Sequence, residues 1–484
     1  MSSPQKPELV DTICSNAADD RLFKLSSTVR RKVDLRLIPW LTILYLSCFL
    51  YISLISSFQI TGMAEDLKLS GMRYQMAAAA FFLTYSLFEI PCNVLLQRLR
   101  PSIWIPSITL AWGIVMVSMA FVQTWQGLII ARLFLGVAES GLGPGLAYYI
   151  TLWYCRDQQA RPIAFYFSAA TLSGPCLLQH SGLLAFCIEK MNGLCGLHGW
   201  QWIFLLEGLL TVVVALVSFW AMIDYPDTAT FLTPEEREHL IDVLGRDTAG
   251  EPSHFDMKFV WETIWNPKSW LHAAIFVGIV APLYSFSLFV PTIIHALGFS
   301  ANNAQLLTIP PYAAGCAVTI IIGALSDRAR MRGPFIAALS LVGIVGYIIL
   351  LGTDAEKQPA VGYAGCVIAA MGIYPGVPLI LAWSAANARG SLKKAVVFAL
   401  VNMVGNFGGI CASFVYRTQD TPQFTLGHSV SLGFMCLACL GSLFATLMYR
   451  RLNQGKERLC AEQNISLDRK AEFSAMGVES PVFR

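Results

Sequence analysis

Residues 129–153 read IIARLFLGVAESGLGPGLAYYITLW. The stretch is long and apolar enough to cross a bilayer, which takes roughly 20 such residues, yet it carries Arg132 and Glu139. Seven residues make two helical turns, so these side chains share one face, about 20° apart in azimuth and roughly 10 Å apart along the axis. At that distance and an effective dielectric near 20 they interact by about 1.7 kcal/mol. An ionisable group at mid-bilayer costs ~2.5–3.5 kcal/mol on insertion scales, so it faces a bundle interior or a wet cavity and marks an ion or substrate path. Gly141 and Gly145 form a GxxxG pair suited to close helix packing, and Pro144 frees a backbone carbonyl and permits a bend.

Composition points the same way. Of 484 residues, 55% are hydrophobic and only 13% charged, as expected of a polytopic membrane protein. The formal net charge of +3 is too small to suggest nucleic-acid binding. The 13 cysteines form no CxxC pairs and have no histidine partners, so neither a metal site nor a disulfide framework is expected. No nucleotide-binding loop or nucleophile–base constellation appears, which argues against an enzyme, an ATP-driven pump or any cofactor. The first 36 residues hold no signal-peptide pattern.

Taken in order, the chain predicts a cytoplasmic tail (1–36), six spans (37–223), a polar linker (224–269), six more spans (270–449) and a second cytoplasmic tail (450–484). This is an all-α membrane protein of twelve transmembrane helices in two pseudo-symmetric bundles. The loops assigned to the cytoplasm hold ten Lys or Arg against five in the outer loops, so the positive-inside rule places both termini inside. The halves match weakly at an offset of about 230 residues. Asn93, Gln97, Arg98 and Arg100 align with Gly323, Asp327, Arg328 and Arg330; Pro144, Gly145 and Trp153 align with Pro375, Gly376 and Trp383. A duplicated bundle with a site between its halves is a transporter architecture.

The segment GALSDRARMRG (323–333) resembles the cytoplasmic-loop signature of the major facilitator superfamily. FEIPCNVLLQRLRPSIWIPS (88–107), ARLFLGVAESGLGPGLAYY (131–149), GWQWIFLLEGLLTVVV (199–214), DYPDTATFLTPEER (224–237), PLYSFSLFVPTII (282–294), GIYPGVPLILAW (372–383) and GNFGGI (405–410) are similar to fungal members of its anion:cation symporter family. That group includes carriers of nicotinate, pantothenate and allantoate. Two departures stand out. Where the family carries an Asp-Arg pair and a following Asn in helix one, this chain has Tyr51, Ile52 and Leu54. Helix five holds about four extra residues around Leu178 to Ser181, including His180.

The charged pair suggests anion recognition by Arg132 linked to a proton on Glu139, each ligand favouring the other. Glu89 is read as a second proton site, or as a gate residue paired with Arg98, Arg100 or a neighbouring loop. Asp327 and Arg328 are further gate candidates. Tyr284, Ser287, Tyr374, Asn402 and Asn406 offer hydroxyls, amides and aromatic faces for a small ligand, and Tyr51 joins them at the departed helix-one position. Glu207, near the outer end of helix six, would bond to backbone or to Lys190. The expected activity is proton-coupled symport of a small organic anion, a monocarboxylate such as a vitamin-like acid, by a plasma-membrane monomer using the proton gradient. The alternatives are a transporter, including an exporter, of a fungal secondary metabolite and a non-transporting nutrient sensor.

Overall fold

The structure is a computed structural model and describes residues 27–57, 63–69, 73–168, 191, 193–247, 256–354, 357–388, 390–416 and 420–462. These residues are helices and connecting turns, with no strand among them. In chain order the principal helices are α1 (Ser27–Ser57), α2 (Arg73–Arg98), α3 (Pro101–Met119), α4 (Trp125–Glu139), α5 (Leu142–Thr151), α6 (beginning at 160), α7 (Gly199–Ala221), α8 (Pro234–Asp247), α9 (Met257–Ile264), α10 (Pro267–Ala296), α11 (Ile309–Ala329), α12 (Gly333–Gly352), α13 (Pro359–Ile373), α14 (Gly376–Ala386), α15 (Ser391–Val415) and α16 (Thr425–Glu462).

Ten spans among the described residues are long and apolar enough to cross a membrane. The α4–α5 and α13–α14 pairs each count as one span. With α1, and with α6, described over residues 160–168, they fit the twelve-helix order of two related bundles. Helix starts follow local chemistry. Thr124 accepts the Gly127 amide at 3.2 Å to open α4, and Asn266 accepts Lys268 N at 3.0 Å to open α10, with Pro267 in its first turn. In TPEE, Thr233 and Glu236 exchange side-chain-to-backbone bonds of 3.3 and 3.1 Å, a capping box for α8.

Two helix ends differ from the sequence expectation. The first begins at Ser27 rather than near 37, because its basic first turns have partners: Lys32 bonds Glu236 at 2.7 Å, and the Tyr154 hydroxyl donates to Asp34 at 2.6 Å. The last runs to Glu462, past 449, because Arg450 to Glu462 contains good helix formers and no proline. The breaks inside spans four and ten also have a local cause. Proline cannot bond the carbonyl four residues back and clashes with it. The chain breaks at Ser140–Gly141, four residues before Pro144, and at Tyr374–Pro375, four residues before Pro378. In its effect on the helix, Pro144 therefore corresponds to Pro378 rather than Pro375.

Candidate functional site

The two halves meet around a cavity of about 40 Å³ lined by Tyr45, Gly143, Tyr166, Tyr284, Asn402 and Asn406 together with apolar side chains. That is room for water and not for an organic ligand, whose pockets run to ~300 Å³ or more. Tyr284 is bound into the wall: its hydroxyl donates to Asn406 Oδ1 at 2.8 Å, and its ring meets Phe82 of the other half edge-on at 5.1 Å. Asn406 Nδ2 in turn donates to Glu89 Oε2 at 3.3 Å, joining α15 to α2. Glu89 is wholly buried and its Oε1 has no hydrogen-bond partner among the described residues. It does not pair with Arg98 or Arg100. Nine residues separate it from Arg98, roughly 13 Å along the helix, and both arginines stand exposed at the end of α2.

Glu139 is the last residue of α4, beside the proline-induced break, and is 1% exposed. Its Oε1 accepts the thiol hydrogen of Cys48 on α1 at 2.7 Å, while Oε2 is buried without a hydrogen-bond partner among the described residues. Arg132 lies two turns back on the same helix, 4% exposed, and does not line the central cavity. The α2–α4 seam holds both charges in place. Thr84 Oγ1 donates to Leu133 O at 2.9 Å, and a Cβ at Gly136 would collide with Thr84 Oγ1 and come within 2.5 Å of Phe81 O. Gly141 and Gly145 are also closely packed, by Cys92 and Leu96 of α2 at 3.1 and 3.3 Å, but Gly136 is the tightest approach of the three.

The remaining candidates are distributed. Asn402 lines the cavity but gives its amide hydrogen to Phe398 O on its own helix at 2.9 Å. Ser287 and Tyr374 bond each other at 2.9 Å within a separate aromatic group containing Phe286 and Tyr312. The side chain of Tyr51, the segment around Leu178–Ser181 with His180, and Lys190 lie outside the described residues. Both carboxylate oxygens of Glu207 are buried with no hydrogen-bond partner among the described residues. The sequence did not single out Tyr45, whose ring packs edge-on against Tyr166 at 5.0 Å, or Cys48, which donates to Glu139. Aromatic and thiol side chains are common throughout such spans, so neither carried a local signal.

At the end of the molecule that carries the basic loops, Asp327 closes the seam between halves. Its carboxylate accepts the backbone N–H groups of Ala160 and Arg161 at 3.1 and 2.8 Å, capping α6 of the opposite half, and meets Arg332 Nη2 at 3.4 Å. Arg332, outside the spans, also donates to Arg156 O at 2.5 Å; burial lowers its basicity, while Asp327 and Asp157 oppose that change. Gln97 Nε2 reaches Ser391 O, at the start of α15, at 3.3 Å. Gly323 lets α11 press against α6, for a Cβ there would lie 2.6 Å from Ala164 Cβ. Arg328 is exposed on the rim, and Arg330 stands 3.6 Å from Asp157. The arrangement joins the two bundles at one end and leaves a small polar cavity where they meet.

Comparison with known proteins agrees with this architecture. The Major Facilitator Superfamily model matches residues 41–413. An uncharacterized transporter of Schizosaccharomyces pombe is 33% identical over 441 residues, covering 90% of this chain and 86% of its own. The high-affinity nicotinic acid transporter of Saccharomyces cerevisiae is 29% identical over 438 residues, covering 90% of this chain and 80% of its own. A crystal structure of a bacterial homologue of the human lysosomal transporter Spinster superposes with a TM-score of 0.55 at 18% identity, covering 88% of this chain and 98% of that one, a likeness of fold. The chain belongs to the major facilitator superfamily and is a multi-pass membrane transporter.

Proposed function

We propose that this protein is a proton-coupled symporter of a small organic anion, a monocarboxylate of the vitamin-like class. The observation that carries the reading is the pair of buried carboxyls, Glu89 and Glu139, each with one oxygen lacking a hydrogen-bond partner among the described residues, beside the seam where the halves meet. A buried carboxyl left half-satisfied is costly as an anion, so a proton taken from solution is its natural ligand. Arg132 supplies the positive charge for the anion. Tyr284 and Asn406, with Asn402 beside them, shape the site from the opposite half. The similarity to a nicotinic acid transporter supports a monocarboxylate.

In this reading a tail (1–36), a bundle (37–223), a linker (224–269), a second bundle (270–449) and a tail (450–484) make up a monomer in the plasma membrane, with both termini cytoplasmic. Asp327 and Gln97 then form the cytoplasmic gate, closed here, and the 40 Å³ centre is the contracted site. Substrate enters when the outer ends part. Loss of the helix-one Asp-Arg pair at Tyr51 and Ile52 favours a second reading, a transporter specialised for a secondary metabolite.

The deciding experiment is uptake of radiolabelled nicotinate, pantothenate and allantoate into yeast lacking its own carriers, at acid and slightly alkaline external pH, with and without a protonophore. Accumulation that is greater in acid and collapses with the protonophore is expected. No uptake of any of the three, with the protein confirmed at the cell surface, would transfer the assignment to the second reading.

A further inference from the structure

A second, larger cavity of about 660 Å³ opens at the basic end, between the start of α1, the start of α6 and the end of α11. Four arginines, Arg30, Arg161, Arg328 and Arg330, line it against two acids, Asp157 and Asp327. Both acids are already engaged. Asp327 caps α6 and meets Arg332, and Asp157 stands 3.6 Å from Arg330. Arg161 has Asp34 at 3.9 Å and lies over the Phe165 ring at 5.6 Å. Arg30 and Arg328 have no carboxylate within salt-bridge distance among the described residues, so an uncompensated positive field remains. The inner wall is apolar, made of Phe165, Ile320 and Ala324. Ile321 and Leu325, the neighbouring residues on α11, are exposed, so this wall continues onto the lipid-facing surface.

A basic rim above an apolar wall that runs out to lipid matches one kind of occupant. We propose that this vestibule holds an anionic phospholipid, its phosphate on the guanidinium groups of Arg30 and Arg328 and its acyl chain along Ile320, Ala324 and Leu325. Guanidinium forks match phosphate oxygens in geometry and charge. The apolar wall distinguishes this occupant from a free soluble phosphate, which would leave it wetted. Arg30 and Arg161 belong to the first half of the molecule and Arg328 and Arg330 to the second, so the bound lipid bridges the halves at the gate that Asp327 closes.

The test strips the purified protein of lipid in detergent, offers phosphatidylserine or phosphatidylcholine at equal concentration, and counts retained lipid by native mass spectrometry. Phosphatidylserine should be retained in clear excess. The double variant Arg30→Gln/Arg328→Gln should lose that retention by roughly thirtyfold, the effect of about one kcal/mol for each basic residue. Asp157→Asn, which releases Arg330, should increase it several-fold. Equal retention of the two lipids, or undiminished retention by the double variant, overturns the proposal. Displacement of phosphatidylserine by excess inorganic phosphate assigns the site to a soluble anion and overturns the lipid. If thermal unfolding shows the double variant to be misfolded, Asp157→Asn decides alone: no gain in phosphatidylserine overturns the assignment.

Discussion

Gln97 and Asp327 occupy equivalent positions in the two halves, about 230 residues apart, and each reaches across to the first turn of a helix in the other half. The two links differ in strength. Asp327 is a carboxylate accepting two backbone N–H groups at a helix N-terminus, where anions are favoured. Gln97 makes one neutral bond of 3.3 Å to a carbonyl. The contact between the halves at this end therefore rests mainly on Asp327.

Asp327→Asn should open the basic end, because it removes the charge and leaves a single carbonyl acceptor. A loss of roughly 1–2 kcal/mol would raise the open population about tenfold. Gln97→Ala should have a smaller effect. The rate at which a cysteine introduced at Ala324 reacts with a membrane-impermeant maleimide reads the opening, and equal rates in wild type and Asp327→Asn would contradict the latch.

Arg132→Ala should reduce uptake by about a hundredfold, since truncating a buried charge that meets an ionic partner costs roughly 3 kcal/mol. Glu139→Gln should leave measurable uptake that no longer responds to external pH. Unchanged pH-dependent uptake in both variants would refute the assigned roles.

Glu89 and Asn406 should be energetically coupled. Glu89→Gln keeps an acceptor for the Asn406 amide but removes a titrating group, so it should fold normally and flatten the pH profile. Asn406→Ala strips the carboxyl of its donor. A double-mutant cycle on transport rate should return a coupling of about 0.5–3 kcal/mol, whereas strict additivity would mean that the 3.3 Å contact carries no weight.

Gly136→Ala should destabilise the protein by about 1–3 kcal/mol, the range for overpacking. The added methyl group would meet Thr84 Oγ1 and Phe81 O. Thermal unfolding in detergent measures this loss, and Gly136→Ala combined with Thr84→Ala, which removes the hydroxyl, should not restore it, because the Phe81 carbonyl remains.

The Lys32–Glu236 link should weaken in acid. Hydrogen bonds from Lys32 and from the Thr233 backbone hold the Glu236 carboxyl below its ordinary value. A carboxyl depressed in the folded state contributes stability that is full above the ordinary glutamate pKa, ~4.3, and is lost as pH falls through the lower folded value. The protection of the α8 amides, their exchange rate set against the intrinsic rate at the same pH, should therefore fall in acid relative to neutral in wild type. In Glu236→Gln protection should be low at both. The same protection in wild type and variant would remove the role of this pair.

Much of this was legible along the chain. Apolar runs of span length, the basic loops and the repeat between halves led to the twelve-helix architecture, and the resemblance of the loop at 323–333 named the superfamily that the comparison then showed. Asp327 was singled out as a gate residue from its place after helix eight. Its way of acting was not legible, because it caps backbone groups of Ala160 and Arg161 in the other half as well as pairing with Arg332. Glu89 was noticed as a buried acid, but its neighbour in space is Asn406 and not the arginines of its own loop.

Hydropathy and helical period are properties of adjacent residues, so the sequence by itself determined which segments enter the bilayer and that Arg132, Glu139 and Glu89 must find partners there. It contained no measure of which partner each would find. Glu89 and Asn406 are 317 positions apart, Gln97 and Ser391 294, and Cys48 and Glu139 91. Such pairs exist only once close approaches such as those at Gly136 and Gly323 set the depth and rotation of each helix against its neighbours. Packing of whole helix faces, a sum over many distant contacts, decided the site and the gate.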